Sequence, residues 1–157
     1  MINFCVSFTT LPSRLKSIEK TIDSINNQSL KPKKIFLNLP YKFKRFPHYE
    51  FKEEQIVKLK KKNVEIIRCD DYGPGTKLMG SLDQTKNFDL VIILDDDHSY
   101  HYKMFEIFVD EFKKHNKNYS FYVQKVFKLN MGQGADGILI NTKIFNNTED
   151  AIDKFDI

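Results

Sequence analysis

The chain has no tryptophan, two cysteines, six glycines and five prolines in 157 residues. Cys5 and Cys69 each sit in or beside an apolar run. Two such thiols make neither a disulfide framework nor a metal-ligand spacing, and they are expected as buried free thiols. No apolar run approaches the 18 or so residues of a membrane-spanning helix, and no secretory leader pattern opens the sequence. A soluble, cytoplasmic protein is therefore expected. Internal repeats and low-complexity linkers are lacking too, and the length suits a single domain over residues 1–157.

What is present begins with charge. The formal net charge is +4, and the excess lysine lies mostly between Lys31 and Lys62. A basic face can attract phosphates, nucleic acid or an anionic membrane, or simply keep a protein soluble. The aromatics within it, Tyr41, Phe43 and Phe46, match no RNA-binding signature, and no nucleic-acid partner is expected.

Hydrophobic periodicity supplies the elements. Asn3–Phe8, Lys34–Leu39 and Val64–Cys69 read as strands. Leu90–Leu94 is continuously apolar, as in a central strand covered on both faces. Leu15, Ile18, Ile22 and Ile25 form one face of a helix over Ser13–Asn27, with Pro12 at its start. A short helix is expected over Phe51–Lys61, ended near Asn63, and another over Thr76–Leu82. Met104, Phe105, Phe108, Val109 and Phe112 mark a third amphipathic helix. Ser120–Val126 and Ile138–Ile140 are expected strands, separated by the glycine-rich loop MGQGADG. Strand and helix alternate through the first two thirds, which predicts an α/β fold with a mostly parallel central sheet flanked by helices.

In such sheets ligands bind beyond the carboxyl ends of the strands. Here those ends carry Thr9 and Thr10, Asn38, Asp70 and Asp71, and the triple aspartate Asp95, Asp96 and Asp97. Two carboxylates sharing a site repel unless a cation lies between them. A hard divalent ion relieves this and often shares its coordination with substrate phosphates. D-x-D at a strand end thus reads as a metal-and-phosphate site, or as a solvated acidic turn. His98, next in sequence, is a further candidate ligand, or a surface residue. In DYGPGTK a glycine-rich turn runs into a helix and would offer backbone N–H groups and Lys77 to an anion. It lacks the Gly-Lys-Ser/Thr ending of a nucleoside-triphosphatase loop.

The segments VSFTTLPSRLKSIEKTIDSINNQSLKPKKIFLNLP, RCDDYGPGTKL and VIILDDDHSY, in that order, resemble the nucleotide-sugar-dependent glycosyltransferases of GT-A fold, nearest the bacterial and viral enzymes related to glycosyltransferase family 2. The resemblance covers about residues 2–145. It implies a nucleotide-binding part over about residues 1–100 and an acceptor-side part over about 101–157. Thr9, Thr10 and Arg14 would lie beside the nucleotide, Asn38 near the nucleoside, Asp70 and Asp71 at the base, and Lys77 at the ribose or diphosphate. Asp95, with Asp96 beside it, would meet the nucleotide. Asp95 and Asp97 would hold Mn²⁺ or Mg²⁺ as cofactor. The residues GADG, 134–137, resemble a loop lining the acceptor side. The implied donor is a nucleotide-sugar, with a uridine nucleotide favoured by analogy. The implied acceptor is a glycan or a lipid- or protein-linked hydroxyl, including one at a membrane surface. Relatives usually continue past the GADG-like segment through an acidic pair. That leaves Asp136, Glu149 and Asp150 as candidates for the base, and a homo-oligomer or partner as a way to complete the site. Two further readings stay open: a D-x-D phosphotransferase or phosphatase, and a nucleotide-sugar or glycan binding module without transfer.

Overall fold

The computed structural model describes residues 2–120, 123–126, 129–132 and 136–145. Strands β1 (Phe4–Thr9), β2 (Lys34–Pro40), β3 (Glu65–Cys69) and β4 (Leu90–Ile93) are joined by helices α1 (Ile18–Asn26) and α2 (Glu53–Lys60) and by two short helices, α3 (Thr76–Met79) and α4 (Leu82–Thr85). Helix α5 (Met104–His115), β5 (Tyr119–Ser120), β6 (Val123–Val126), β7 (Leu129–Gly132) and β8 (Ile138–Asn141) follow. The main sheet has six strands in the order β3-β2-β1-β4-β8-β5. β1 pairs in parallel with β2 and β4, and β2 with β3. β8 runs antiparallel to both β4 and β5. The expected α/β fold, mostly parallel, is present.

Alternation along β1 explains the two layers. Phe4, Val6 and Phe8 point to one face and join Ile18, Ile22 and Ile25 of α1 and Met104, Phe105, Phe108 and Val109 of α5 in the larger core. Cys5 points to the other face, into a smaller cluster with Phe36, Val91 and Ile93, against which Leu78 and Phe88 pack. Both faces of β4 are thus covered, which is why LVIIL carries no polar residue. Asn63, with φ of 61°, and Asn116, with φ of 52°, take left-handed conformations after α2 and α5. Asparagine tolerates these better than most residues.

Three boundaries differ from expectation. The first helix opens with a 3-10 turn at Pro12–Arg14, and α1 proper begins only at Ile18. The helix expected over Thr76–Leu82 breaks at Gly80 and Ser81 into α3 and α4. The strand expected over Ser120–Val126 divides its labour: β5 joins the main sheet, while β6 pairs with β7 as a separate hairpin. The glycine-rich loop therefore starts inside β7, and its residues 133–135 lie outside the described ones. No helix among the described residues is long and apolar enough to cross a membrane.

Cys5 and Cys69 are free. Burial raises the Cys5 thiol to about 12 and the Cys69 thiol to about 11, with the charge of Asp70 adding to the latter. The reactive species is the thiolate. At pH 8 both thiols are expected to react with Ellman's reagent far more slowly in the folded protein than in urea, Cys5 the slower of the two. Prompt reaction of two thiols in the folded state would contradict the packing around them.

Candidate functional site

The strand order reverses at β1: β2 lies on one side and β4 on the other. The crevice beyond the carboxyl ends of β1 and β4 is thus the topological switch point, where open α/β sheets bind ligands. A cavity of about 490 Å³ opens there. Thr9, Thr10 and Arg14 line it from the end of β1, Asp95, Asp96 and Asp97 from the end of β4, and Asp71 and Lys77 from the turn after β3.

The three aspartates have three different environments. Asp96 is 4% exposed. Its Oδ1 accepts from Arg14 Nη1 at 2.7 Å and its Oδ2 from the Thr10 hydroxyl at 2.6 Å. The Thr21 hydroxyl donates to the backbone carbonyls of Asp96 at 2.9 Å and His98 at 2.7 Å, which pins the turn from below. Asp95 forms an ion pair with the Lys77 ammonium. Its backbone N–H donates to Tyr100 Oη at 2.9 Å, and the Tyr100 hydroxyl donates back to the Asp95 carbonyl at 3.1 Å. Asp97 is half exposed. It contacts His98 Nδ1 at 2.7 Å and, more loosely, Arg14 Nη1 at 3.5 Å. The hydrogen bond and charge of Asp96, with the charges of Asp97 and Asp95 beyond, raise the Arg14 pKa further, so its positive charge is fixed. Burial, with the charges of Asp95, Asp97 and Asp136 adding to it, pushes the Tyr100 pKa up and keeps its hydroxyl protonated.

Asp71 organises the turn after β3. Its Oδ1 accepts from the Gly73 N–H at 2.8 Å and its Oδ2 from the Lys44 N–H at 2.7 Å. Gly73 has φ of 58°, a conformation that favours glycine. The turn is thereby tied to the β2–α2 loop. That loop supplies a part of the cavity wall that the motifs did not assign, Pro40, Phe43, Arg45 and Phe46, and Leu11 and Pro74 line the cavity too. Phe46 stacks on Tyr49 with centroids 5.0 Å apart. The signal for this wall was present as the cluster of aromatic and basic residues after β2. The cavity is therefore lined both by charged groups and by apolar and aromatic side chains, with Arg45 among the latter.

Three expected site residues do not line the cavity. Asn38 is fully buried beneath the site, and its amide points to Ser7 and to the Lys77 carbonyl rather than into the cavity. Asp70 is exposed and does not line the cavity. Asp136 is half-buried and near enough to act on Tyr100, without lining the cavity. Glu149 and Asp150 fall outside the described residues, as do Gly134 and Ala135. Among the described residues, no group of three or more His, Cys, Asp and Glu side chains is arranged to hold a metal. Two carboxylates, Asp95 and Asp97, open to one cavity are a donor set that fits Mg²⁺ or Mn²⁺ drawing the rest of its shell from ligand phosphates and water.

Solved structures share this architecture. The UDP complex of S. aureus TarS residues 1–349 superposes with a TM-score of 0.64 at 16% identity, covering 91% of this chain and 48% of that one. This is a GT-A-like, nucleotide-diphospho-sugar transferase fold. The 4-diphosphocytidyl-2C-methyl-D-erythritol synthase of Anaerococcus prevotii gives 0.61 at 12% identity, over 99% of this chain and 83% of that one. The apo glycosyltransferase GlyE of Streptococcus pneumoniae gives 0.54 at 17%, over 99% and 39%. The chain thus spans about half of the TarS chain and less of GlyE. No family model and no curated protein matches the sequence.

Proposed function

We propose that the cavity binds the nucleoside diphosphate of a nucleotide-sugar, with uridine the favoured base, and that the protein is a glycosyltransferase acting on a hydroxyl of a glycan or of a lipid- or protein-linked acceptor. The observation that carries this reading is that one cavity at the β1/β4 crevice is lined by apolar, aromatic and charged side chains together. A flat base suits Leu11, Pro40, Phe43 and Phe46. A diphosphate suits Lys77, Arg14 and a cation held by the aspartates. The UDP bound to TarS, a protein of similar fold, supports it.

On this reading Lys77 leaves Asp95 and meets the diphosphate, where a fixed ammonium stabilises charge growing on the leaving group. Arg14, held by Asp96, sets the positive end of the crevice without moving. Asp95 and Asp97 would hold Mn²⁺ or Mg²⁺, which supplies Lewis-acid neutralisation of the leaving diphosphate. Asp136 is the described candidate for the carboxylate that takes the acceptor proton, and Asp150 is the other.

Calorimetric titration of UDP and GDP, in Mn²⁺ and then with chelator, tests the reading. UDP is expected to bind in Mn²⁺. Chelator, or Asp97→Ala, is expected to weaken binding at least tenfold, the scale of a charge-assisted contact. Failure of both nucleotides under every condition would overturn the proposal. Binding without transfer or hydrolysis of a UDP-sugar would favour a binding module instead.

A further inference from the structure

We infer that a buried polar cluster beneath the cavity, Ser7, Asn38 and Ser81, positions Lys77, and that Asn38 is its central positioning residue. Ser7 sits on β1, Asn38 on the neighbouring β2, and Ser81 in the break between α3 and α4. All three are fully buried. The Ser7 hydroxyl donates to the Lys77 carbonyl at 2.6 Å and lies 2.8 Å from Ser81 Oγ. Asn38 Nδ2 donates to Ser7 Oγ at 2.9 Å and to the same Lys77 carbonyl at 3.2 Å. The Thr9 hydroxyl, at the cavity, donates to the Asn38 carbonyl at 2.7 Å.

The break in the helix is what makes this possible. The Gly80 N–H bonds to the Thr76 carbonyl and the Ser81 N–H to the Leu78 carbonyl. The backbone ladder passes over the Lys77 carbonyl, which turns to the sheet side chains instead. Gly80 is required at the contact, because a Cβ there would lie 2.8 Å from Asn38 Cβ and Cγ and from Cys69 Sγ. Asn38 Oδ1 is buried with no hydrogen-bond partner among the described residues. Turning the amide over would set that oxygen against the Lys77 carbonyl oxygen and take the Ser7 hydroxyl proton away from that carbonyl. A buried unpartnered acceptor costs stability, and the chain keeps it where the opposite end of the same amide fixes the residue that bears the site's lysine. The cluster thus holds the Lys77 backbone, and the side chain reaches Asp95 from a fixed base. A loose backbone would have to be ordered on each encounter with an anion; a tethered one is already in place.

The placement of Lys77 stands on the geometry alone, and its consequence for ligand binding rests on the nucleotide reading above. Lysine acylation mapped by mass spectrometry separates the two. In the free protein, Asn38→Ala is expected to raise the Lys77 labelling rate about fivefold, the scale of one buried hydrogen bond. Lys34 and Lys86, in surface ion pairs with Glu65 and Asp83, should be unchanged. Ser7→Ala is expected to act in the same direction, which keeps the test sound should Asn38→Ala fail to fold. By calorimetry with Mn²⁺, either change should weaken UDP about tenfold and leave uridine unchanged. Unchanged Lys77 labelling in a folded variant, or equal rises at Lys34 and Lys86, would overturn the positioning role. Equal loss of UDP and uridine would show general damage to the cavity. Should UDP not bind the unmodified protein, the labelling result still decides the placement, and the nucleotide reading alone falls.

Discussion

Arg14→Leu is expected to destabilise the protein by about 2 kcal/mol, read as a lower midpoint in urea unfolding. The Asp96 side chain is 6% exposed, and among the described residues the change leaves its carboxylate with only Thr10 as a side-chain partner, at 2.6 Å. Removing one member of a fully buried ion pair costs about 3–5 kcal/mol, because the other charge stays desolvated. Arg14 is itself 46% exposed, so water enters the gap and recovers part of the loss. For a chain of this size the shift in melting temperature is about 5 °C. The companion variant Arg14→Leu with Asp96→Asn removes both charges, and its loss should be smaller than that of Arg14→Leu alone. A double variant less stable than the single one would mean that Arg14 contributes through packing rather than by compensating Asp96.

That pair shows why a chain stacks three carboxylates after a buried strand. Two of them, Asp95 and Asp97, keep partly exposed side chains at the cavity. Asp96 turns inward and ties the end of β4 to the start of the first helix, 82 residues away. The sequence announced the strand ends well, because an apolar run that stops at a polar cluster is a local signal. It could say that Asp96 differs from its neighbours, through the alternation of side chains, but not that Arg14 waits for it. Asn38 makes the same point. Alternation along β2 sets Ile35, Leu37 and Leu39 on one face and Phe36 and Asn38 on the other. What covers Asn38 is decided by Gly80 and Ser81, some forty residues on, and no local pattern reports that. The helix expected over Thr76–Leu82 failed for the same non-local reason: the hydroxyl of Ser81 lies against that of Ser7, 74 residues back. The aromatic wall of the cavity was visible as composition, and it became a wall only once Asp71 tied the β2–α2 loop to the GPG turn.

Lys77→Met should produce two effects of opposite sign. UDP affinity in Mn²⁺ should fall about thirtyfold, the scale of one charge-assisted contact to phosphate of about 2 kcal/mol. Mn²⁺ alone should bind more tightly, because Asp95 is released from its ion pair and one positive charge leaves the cavity. Three carboxylates would then have one fewer cation to face, and a divalent ion would relieve their repulsion. Lys77→Arg should restore less than its charge suggests, since a wide, planar guanidinium does not reproduce a compact ammonium that moves from Asp95 to the phosphates. Calorimetry separates the outcomes directly. A loss of UDP binding with no gain in metal binding would place Lys77 at the phosphate but deny that it competes with the ion for Asp95. Loss of both would mean that Lys77 orders the end of β4, and that its ion pair shapes the site rather than yielding to the ligand.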